Sequence, residues 1–302
     1  MHSRRIQRRI EIVSRDGLEG MPPVLARVFA ARGVSEAADL ANDLRSLIPV
    51  SSWVSLAAAV QLLVRHRESD SAVTVVGDFD ADGATSTALV VRTLRSLGFG
   101  DVDFVVPNRF EFGYGLTPEL VATAQQRSPG LIITVDNGVS SVAGVAAARD
   151  AGFDVLITDH HLPPTELPDA QAIVNPNLLD EDFPAKNLAG VGVAFYLMAA
   201  LTRQLVDEQR ARQIVARSLD LVALGTVADV VPLDRNNRIL VEQGLRRIRA
   251  GRCVPGITEL LKIGRRDPAR VVASDLGFTA GPRLNAAGRL DDMATGIRCL
   301  LT

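Results

Sequence analysis

From Ala72 onward, short runs of β-branched and aliphatic residues alternate with longer stretches whose apolar positions recur every three or four residues. The runs VTVV, VDFVVP, LIITV, DVLIT and AIVNP read as strands; ATSTALVVRTLRSLG, TPELVATAQQ and SVAGVAAARDAG between them read as helices. Such alternation gives right-handed crossovers and predicts an α/β fold, a parallel β-sheet flanked by helices. Upstream, PPVLARVFAARG, SEAADLANDL and LAAAVQLLVRH are expected to be helices, broken at Gly33 and at Ser51–Ser52. Downstream, NLAGVGVAFYLMAALTRQLVDEQ reads as a buried helix that turns amphipathic, and a further helix ends in LVALG. Past Gly251 the periodicity weakens. RRDPARVVASDLG is expected as a connector and GPRLNAAGR as a loop running into a last helix. The predicted division is a helical N-terminal segment over 1–66, a core over 67–250 and a connector over 251–302.

Three of the strand-like runs end in acids or histidines. VTVVG leads into Asp78-Phe79-Asp80-Ala81-Asp82-Gly83, LIITV into Asp136-Asn137-Gly138, and DVLIT into Asp159-His160-His161. Ends of neighbouring parallel strands converge on one rim of the sheet, where α/β proteins bind ligands. Carboxylates crowded on such a rim need cations to relieve their repulsion, which predicts a two-metal hydrolytic site.

Asp78 and Asp80 are two residues apart, so an extended chain points both to one side, where they can hold adjacent metals. Gly83 lets the backbone turn into a helix whose first N–H groups, with Thr85, Ser86 and Thr87, are a candidate phosphate seat. Asp82 is a further candidate, as a ligand or as a support for its neighbours. An EF-hand is set aside, because no bidentate Glu follows late in the loop. Asp136, one crossover later, is placed to bridge two cations. His160 is the expected nitrogen ligand, with Asp159 or a carbonyl orienting its other ring nitrogen. His161 is then free to act near the leaving group or to stabilise charge. Asp229, in GTVADVVPL, reads as a fourth strand-end acid. Hard oxygen ligands with one imidazole suit Mn²⁺ or Mg²⁺ better than zinc.

Composition narrows the class. Apolar residues make up 47% and charged residues 23%, which is ordinary for a soluble enzyme. A formal charge of −2 excludes a broadly basic surface, so nucleic-acid contacts would be confined to a groove. Cys253 and Cys299 fit no zinc spacing, which favours a reducing compartment. No segment is long and apolar enough to span a bilayer, and the basic N-terminus MHSRRIQRRIEIVSR lacks a signal-peptide apolar stretch. That arginine run is more simply a solvated helix face than a polyanion contact. The expected location is the cytoplasm and the expected state a monomer.

PNRFEFGYG interleaves a guanidinium with aromatics in a chain only 4% aromatic. Arg109 is a candidate clamp for a terminal phosphate, and Tyr114 a candidate base or phosphate contact. Phe110 and Phe112 are equally well explained as core residues. Arg283, Asn285 and Arg289 are donors suited to phosphate or to supporting the metal ligands, with surface salt bridging as the plain alternative.

Together GDFDADGATST, VPNRFEFGYGL, TVDNGVSS, TDHHLP, LAGVGVAF, GTVADVVPL and GPRLNAAGR resemble the DHH phosphoesterase superfamily, and within it the single-strand-specific 5′→3′ DNA exonucleases. The likeness runs from about residue 25 to the end. It implies that Asp78, Asp80, Asp136, His160 and Asp229 hold two Mn²⁺ or Mg²⁺ ions, that Asp136 bridges them, and that His161 lies near the scissile phosphate. It also implies release of 5′-mononucleotides in DNA repair and recombination, alongside a helicase and a single-strand-binding protein. Many superfamily members carry a ligand histidine four residues before the first Asp. Thr74 stands there in this chain, which points away from the pyrophosphatase and oligonucleotide branches. Such exonucleases continue into a DHHA1-type domain and an oligonucleotide-binding barrel, so the chain is expected to be a fragment or a short form. The competing expectations are an oligonucleotide or cyclic-dinucleotide phosphodiesterase and a non-catalytic nucleic-acid-binding scaffold. Retention of every acid and both histidines weighs against the scaffold.

Overall fold

The computed structural model describes residues 17–107, 113–125, 130–290 and 292–302. Helix α1 (Pro23–Ala30) and α2 (Leu56–Glu68) precede the sheet. The α/β part then runs β1 (Val73–Val76), α3 (Ala81–Ser96), β2 (Val102–Val105), α4 (Pro118–Ala124), β3 (Leu131–Val135), α5 (Val142–Asp150), β4 (Asp154–Thr158) and β5 (Ala172–Val174). After it come α6 (Gly190–Leu205), α7 (Glu208–Ala216), α8 (Leu219–Ala228), α9 (Arg235–Arg249) and α10 (Pro255–Ile263). The last elements are the short α11 (Ala273–Asp275), a π-helical turn (Leu276–Ala280), α12 (Gly281–Leu290) and α13 (Met293–Leu301).

The five strands are all parallel, in the order β2-β1-β3-β4-β5. Every residue of β1 and β3 is buried, which is why these strands read as unbroken apolar runs rather than alternating ones. The chain leaves β1 towards β2 on one side and returns to β3 on the other. The carboxyl ends of β1 and β3 therefore flank the point where the winding reverses, and a crevice opens there by topology alone.

One large apolar cluster covers one face of the sheet and runs from Trp53 through α3, α6 and α8 to Leu300. A smaller cluster, built on α4 and α5, covers the other face. Helix α3 lies almost wholly inside: Ala81 to Val91 are all buried. Among the described residues, no single helix is long and apolar enough to cross a membrane.

Three sequence expectations need correction. SEAADLANDL is not a helix but two 3₁₀ turns, at Ala37–Leu40 and Leu44–Ser46. The Asp39 carboxylate accepts from the Ser35 and Glu36 amides and Asp43 from the Arg45 amide, local bonds that compete with helix propagation. GPRLNAAGR is a helix, α12, rather than a loop. It continues without a break from the π-helical turn Leu276–Ala280, which precedes Pro282 and its missing N–H. The region around GTVADVVPL is not a strand end, because α8 continues through Gly225 and Thr226 to Ala228.

Candidate metal centre

Asp78 follows β1 in the crevice, with Oδ1 accepting from the Phe79 amide at 2.6 Å. Asp80 is extended (φ −115°, ψ −176°) and caps α3, its Oδ1 accepting from the Gly83 amide at 2.9 Å. Asp82 sits in the first turn of α3 but serves another helix. Its two carboxylate oxygens accept from the amides of Gly190 (2.6 Å) and Val191 (2.9 Å), at the N-terminus of α6.

Asp136 follows β3 in the left-handed region, at φ +61°. A non-glycine residue held there usually answers to function rather than to local preference. The Asp136 amide donates to the Thr158 carbonyl (3.0 Å), and the Tyr114 hydroxyl donates to the Asp136 carbonyl (3.2 Å). Helix α6 starts hard against this side chain: a Cβ on Gly190 would lie 2.5 Å from Asp136 Oδ1.

After β4, Asp159 organises both histidines. Its Oδ1 accepts from the His160 amide (2.7 Å) and the His161 amide (3.1 Å) and lies 2.7 Å from His161 Nδ1. Its Oδ2 accepts from the Val139 amide at 2.9 Å. Asn177 and Asn175, just beyond β5, donate to the carbonyls of His160 (2.6 Å) and His161 (2.9 Å). Asp229 closes the ring as the C-terminal cap of α8.

The donor atoms of these residues gather into three overlapping groups, each within 4.8 Å: Asp78, Asp80 and Asp136; Asp136, His160 and His161; Asp82, His160 and Asp229. His160 Nε2 stands 3.1 Å from Asp136 Oδ1 and 3.7 Å from Asp229 Oδ2. The first pair is close but lacks hydrogen-bond geometry, and both atoms are buried with no hydrogen-bond partner. Burying a carboxylate oxygen and an imidazole nitrogen unpartnered is costly, and a cation between them removes that cost. The residues therefore fit a hard divalent ion, with oxygen donors and one imidazole.

The electrostatics agree. Burial, aided by the neighbouring Asp80 charge, pushes Asp78 up to about 7. Burial and then the surrounding carboxylates also raise Asp82 and Asp136 well above the usual carboxylate range, and burial raises Asp229. Burial lowers His160, against the pull of the Asp229 charge. His161 goes the other way, raised first by its hydrogen bond to Asp159. Burial alone would raise Asp159, but the bonds from His161 and the backbone outweigh it and hold the carboxyl low. Tyr114 is raised by burial and by the facing carboxylates.

Several expectations shift in detail. Asp229 reaches the cluster from a helix terminus rather than a strand. Asp159 holds the ring of His161, not that of His160. Thr85 and Thr87 are buried and bonded to the carbonyls of Ala81 and Gly83, so their hydroxyls are spent inside α3 and offer no phosphate seat. Asn285 is turned inward: its Oδ1 accepts from the Ala81 amide at 2.6 Å, pinning the turn between Asp80 and Asp82. Arg283 and Arg289 are exposed on the same helix, with Arg283 Nη1 donating to the Thr279 carbonyl at 2.8 Å. Tyr114 is brought to the cluster, its ring edge-on to His161 at 6.1 Å and to Phe79 at 6.0 Å. Arg109 lies outside the described residues. Sequence reasoning missed the two asparagines; their signal was AIVNPN, a strand followed by amide side chains on the same rim.

Residues 72–226 match the family model for the DHH family, N-terminal domain. The single-stranded-DNA-specific exonuclease RecJ of Salmonella typhimurium is 57% identical over 287 residues, covering 93% of this chain and 50% of that protein. The RecJ exonuclease of Bacillus subtilis is 42% identical over 230 residues, 76% of this chain and 28% of that protein. The chain thus spans at most about half the length of these curated relatives. Among solved structures, exonuclease RecJ bound to manganese superposes with a TM-score of 0.74 at 36% identity, covering 85% of this chain and 62% of that one. RecJ from Thermus thermophilus in complex with Mg²⁺ gives a TM-score of 0.66 at 31% identity, covering 93% of this chain and 36% of that one.

Proposed function

The chain belongs to the DHH family, and on that premise we propose that it carries the catalytic core of an exonuclease that shortens single-stranded DNA from its 5′ end, releasing 5′-mononucleotides. The observation that supports this most directly is the facing pair of buried, unpartnered atoms, His160 Nε2 and Asp136 Oδ1, inside a ring of carboxylates. Asp78, Asp80, Asp136, His160 and Asp229 would hold two divalent ions, Mn²⁺ or Mg²⁺, the ions bound in solved RecJ structures, with Asp82 as a further ligand or support. Such ions supply Lewis acidity, charge neutralisation and a lowered pKa for attacking water.

The protein's own groups do the rest. Asp159 holds His161 in one orientation and favours its protonated form, so that the imidazolium can donate to a phosphoryl oxygen or stabilise the departing 3′-oxygen. Tyr114, with its hydroxyl tied to the Asp136 carbonyl, offers a ring beside His161 against which the terminal nucleotide can rest. Arg283 and Arg289 on α12, and Arg109, are the proposed phosphate contacts. Strand choice would be steric, the crevice excluding a duplex. A helicase and a single-strand-binding protein are the partners this activity would call on.

The test is Mn²⁺-dependent nucleotide release from 5′-phosphorylated single strands, beside 3′-blocked, 5′-blocked and duplex versions and the Asp136→Ala variant. Mononucleotides that survive a 3′ block, fail on duplex and vanish in the variant are the expected result. Release only from very short oligonucleotides would overturn the exonuclease assignment in favour of an oligonucleotide phosphodiesterase.

A further inference from the structure

Two large apolar side chains stand in solvent near the end of α8, which Asp229 caps. Val230, the next residue, is 84% exposed and held at φ +66°. A β-branched side chain is strongly disfavoured in that region, and exposure gives nothing back. Phe278 is also 84% exposed and is presented by the π-helical turn Leu276–Ala280. Such turns are rare and concentrate at functional sites. The turn lies against the end of α8. A Cβ on Gly277 would be 3.1 Å from Val227 Cγ1 and one on Gly281 would be 3.0 Å from Ala228 Cβ, so the turn abuts the two residues that precede Asp229.

Two arginines reach Thr279, the residue after Phe278. Arg283 donates to its carbonyl, and Arg266 Nε reaches its Oγ1 at 3.4 Å. Arg266 Nε is also paired with Asp275 Oδ1 at 3.1 Å, so of the two it is Arg283 that brings net charge to the turn. An exposed aromatic ring with an arginine one turn along the helix is a recurrent arrangement for single-stranded nucleic acid, in which a phosphate meets the cation and a base stacks on the ring. Two separate backbone irregularities, one at the residue after Asp229 and one on the turn packed against Val227 and Ala228, each place an apolar group in water outside the core.

We propose that Phe278 is a base-stacking platform on the turn packed against the end of α8 that carries Asp229, taking an unpaired base while Arg283 meets a flanking phosphate. This rests on the exonuclease reading and adds to it a residue that selects unpaired strands, since a base within a duplex has no free face to offer.

The test is binding rather than turnover. In an Asp136→Ala background, so that strands are held and not cut, affinity is measured for 5′-phosphorylated oligothymidylate and for an abasic oligomer with the same number of phosphates. The expected result is tighter binding of oligothymidylate, which Phe278→Ala reduces by about tenfold while leaving the abasic oligomer unaffected. Phe278→Trp retains the preference. The proposal is overturned if Phe278→Ala binds both strands as its parent does, if it weakens both equally, or if the parent does not distinguish them. A wild-type chain that releases no nucleotide with Mn²⁺ would count against the exonuclease reading and leave this binding result to be judged by itself.

Discussion

His160 Nε2 and Asp136 Oδ1 face each other across 3.1 Å, both buried and neither hydrogen-bonded. They come from the ends of adjacent strands, β4 and β3, whose register pairs Val135 with Thr158. The sheet, not any local loop preference, therefore fixes their approach. A folded chain holds such a pair because something stabilises it elsewhere in the cycle, and a divalent cation does so directly.

Divalent metal should therefore stabilise this chain. Mn²⁺ at a hundredfold excess over its dissociation constant contributes about 2.7 kcal/mol, several degrees of melting temperature in a chain of this size. Without metal, burial already favours the neutral form of Asp136, so Asp136→Asn melts close to the parent in chelator, and with Mn²⁺ it gains little. Thermal melts in chelator and in Mn²⁺ check both arms; equal Mn²⁺ gains in the two proteins would refute the assignment of Asp136.

Stability should also fall as pH rises when metal is withheld. The folded Asp78 pKa is about 7 against an ordinary 3.8. Between those values the folded chain keeps a proton that the unfolded chain has released, so this contribution is full below about pH 4 and is lost by about pH 7. His161, raised above 6.5, adds a loss in the same direction at somewhat higher pH. His160, lowered, opposes both, because its proton binds more readily to the unfolded chain. Metal competes with the carboxylate protons, so the Mn²⁺-induced rise in melting temperature should be small at about pH 5 and large at about pH 8. A rise of the same size at both pH values would contradict the raised carboxylate pKa values.

The strand ends were legible because fully buried parallel strands leave unbroken apolar runs, and an acid after such a run stands out. Asp78, Asp136 and His160 were found that way. What was not legible depends on distant partners. Asp82 looks like any acid in a first helical turn until α6 arrives, 108 residues later, to place two amides on it. Asp229 lies at a helix end whose apolar run looks like a strand's. Asn285 sits among glycine, proline and asparagine, which favour loops locally, yet its side-chain carbonyl is taken up by the Ala81 amide and the segment is helical.

Asn285→Ala should loosen the Asp80–Asp82 turn. It leaves the Ala81 amide without its 2.6 Å acceptor, a loss of about 1 kcal/mol, and frees the backbone that aims Asp80 and Asp82. Groups that orient metal ligands matter to affinity by about tenfold or more when removed. Titration calorimetry with Mn²⁺ should show that weakening with the fold intact by circular dichroism. Unchanged Mn²⁺ affinity would mean that Asn285 serves substrate contact rather than the turn.

Gly190→Ala separates the metal centre from the fold most sharply. Alanine is the better helix former by about 1 kcal/mol, and Gly190 opens α6 without a positive φ, so local preference favours the substitution. The added methyl would nonetheless fall 2.5 Å from Asp136 Oδ1 and 2.6 Å from its Cβ. Asp136 is itself confined by its φ of +61° and by the Tyr114 hydroxyl on its carbonyl, so relief comes from moving its carboxylate or lifting the start of α6 away from Asp82. Either movement disturbs the donor groups. The variant should melt within about 1–3 kcal/mol of the parent in chelator, the usual range for overpacking, and should lose most of the Mn²⁺-dependent gain. A full Mn²⁺ response in Gly190→Ala would show that the cluster tolerates displacement of Asp136, and would remove that residue from the centre of the proposed site.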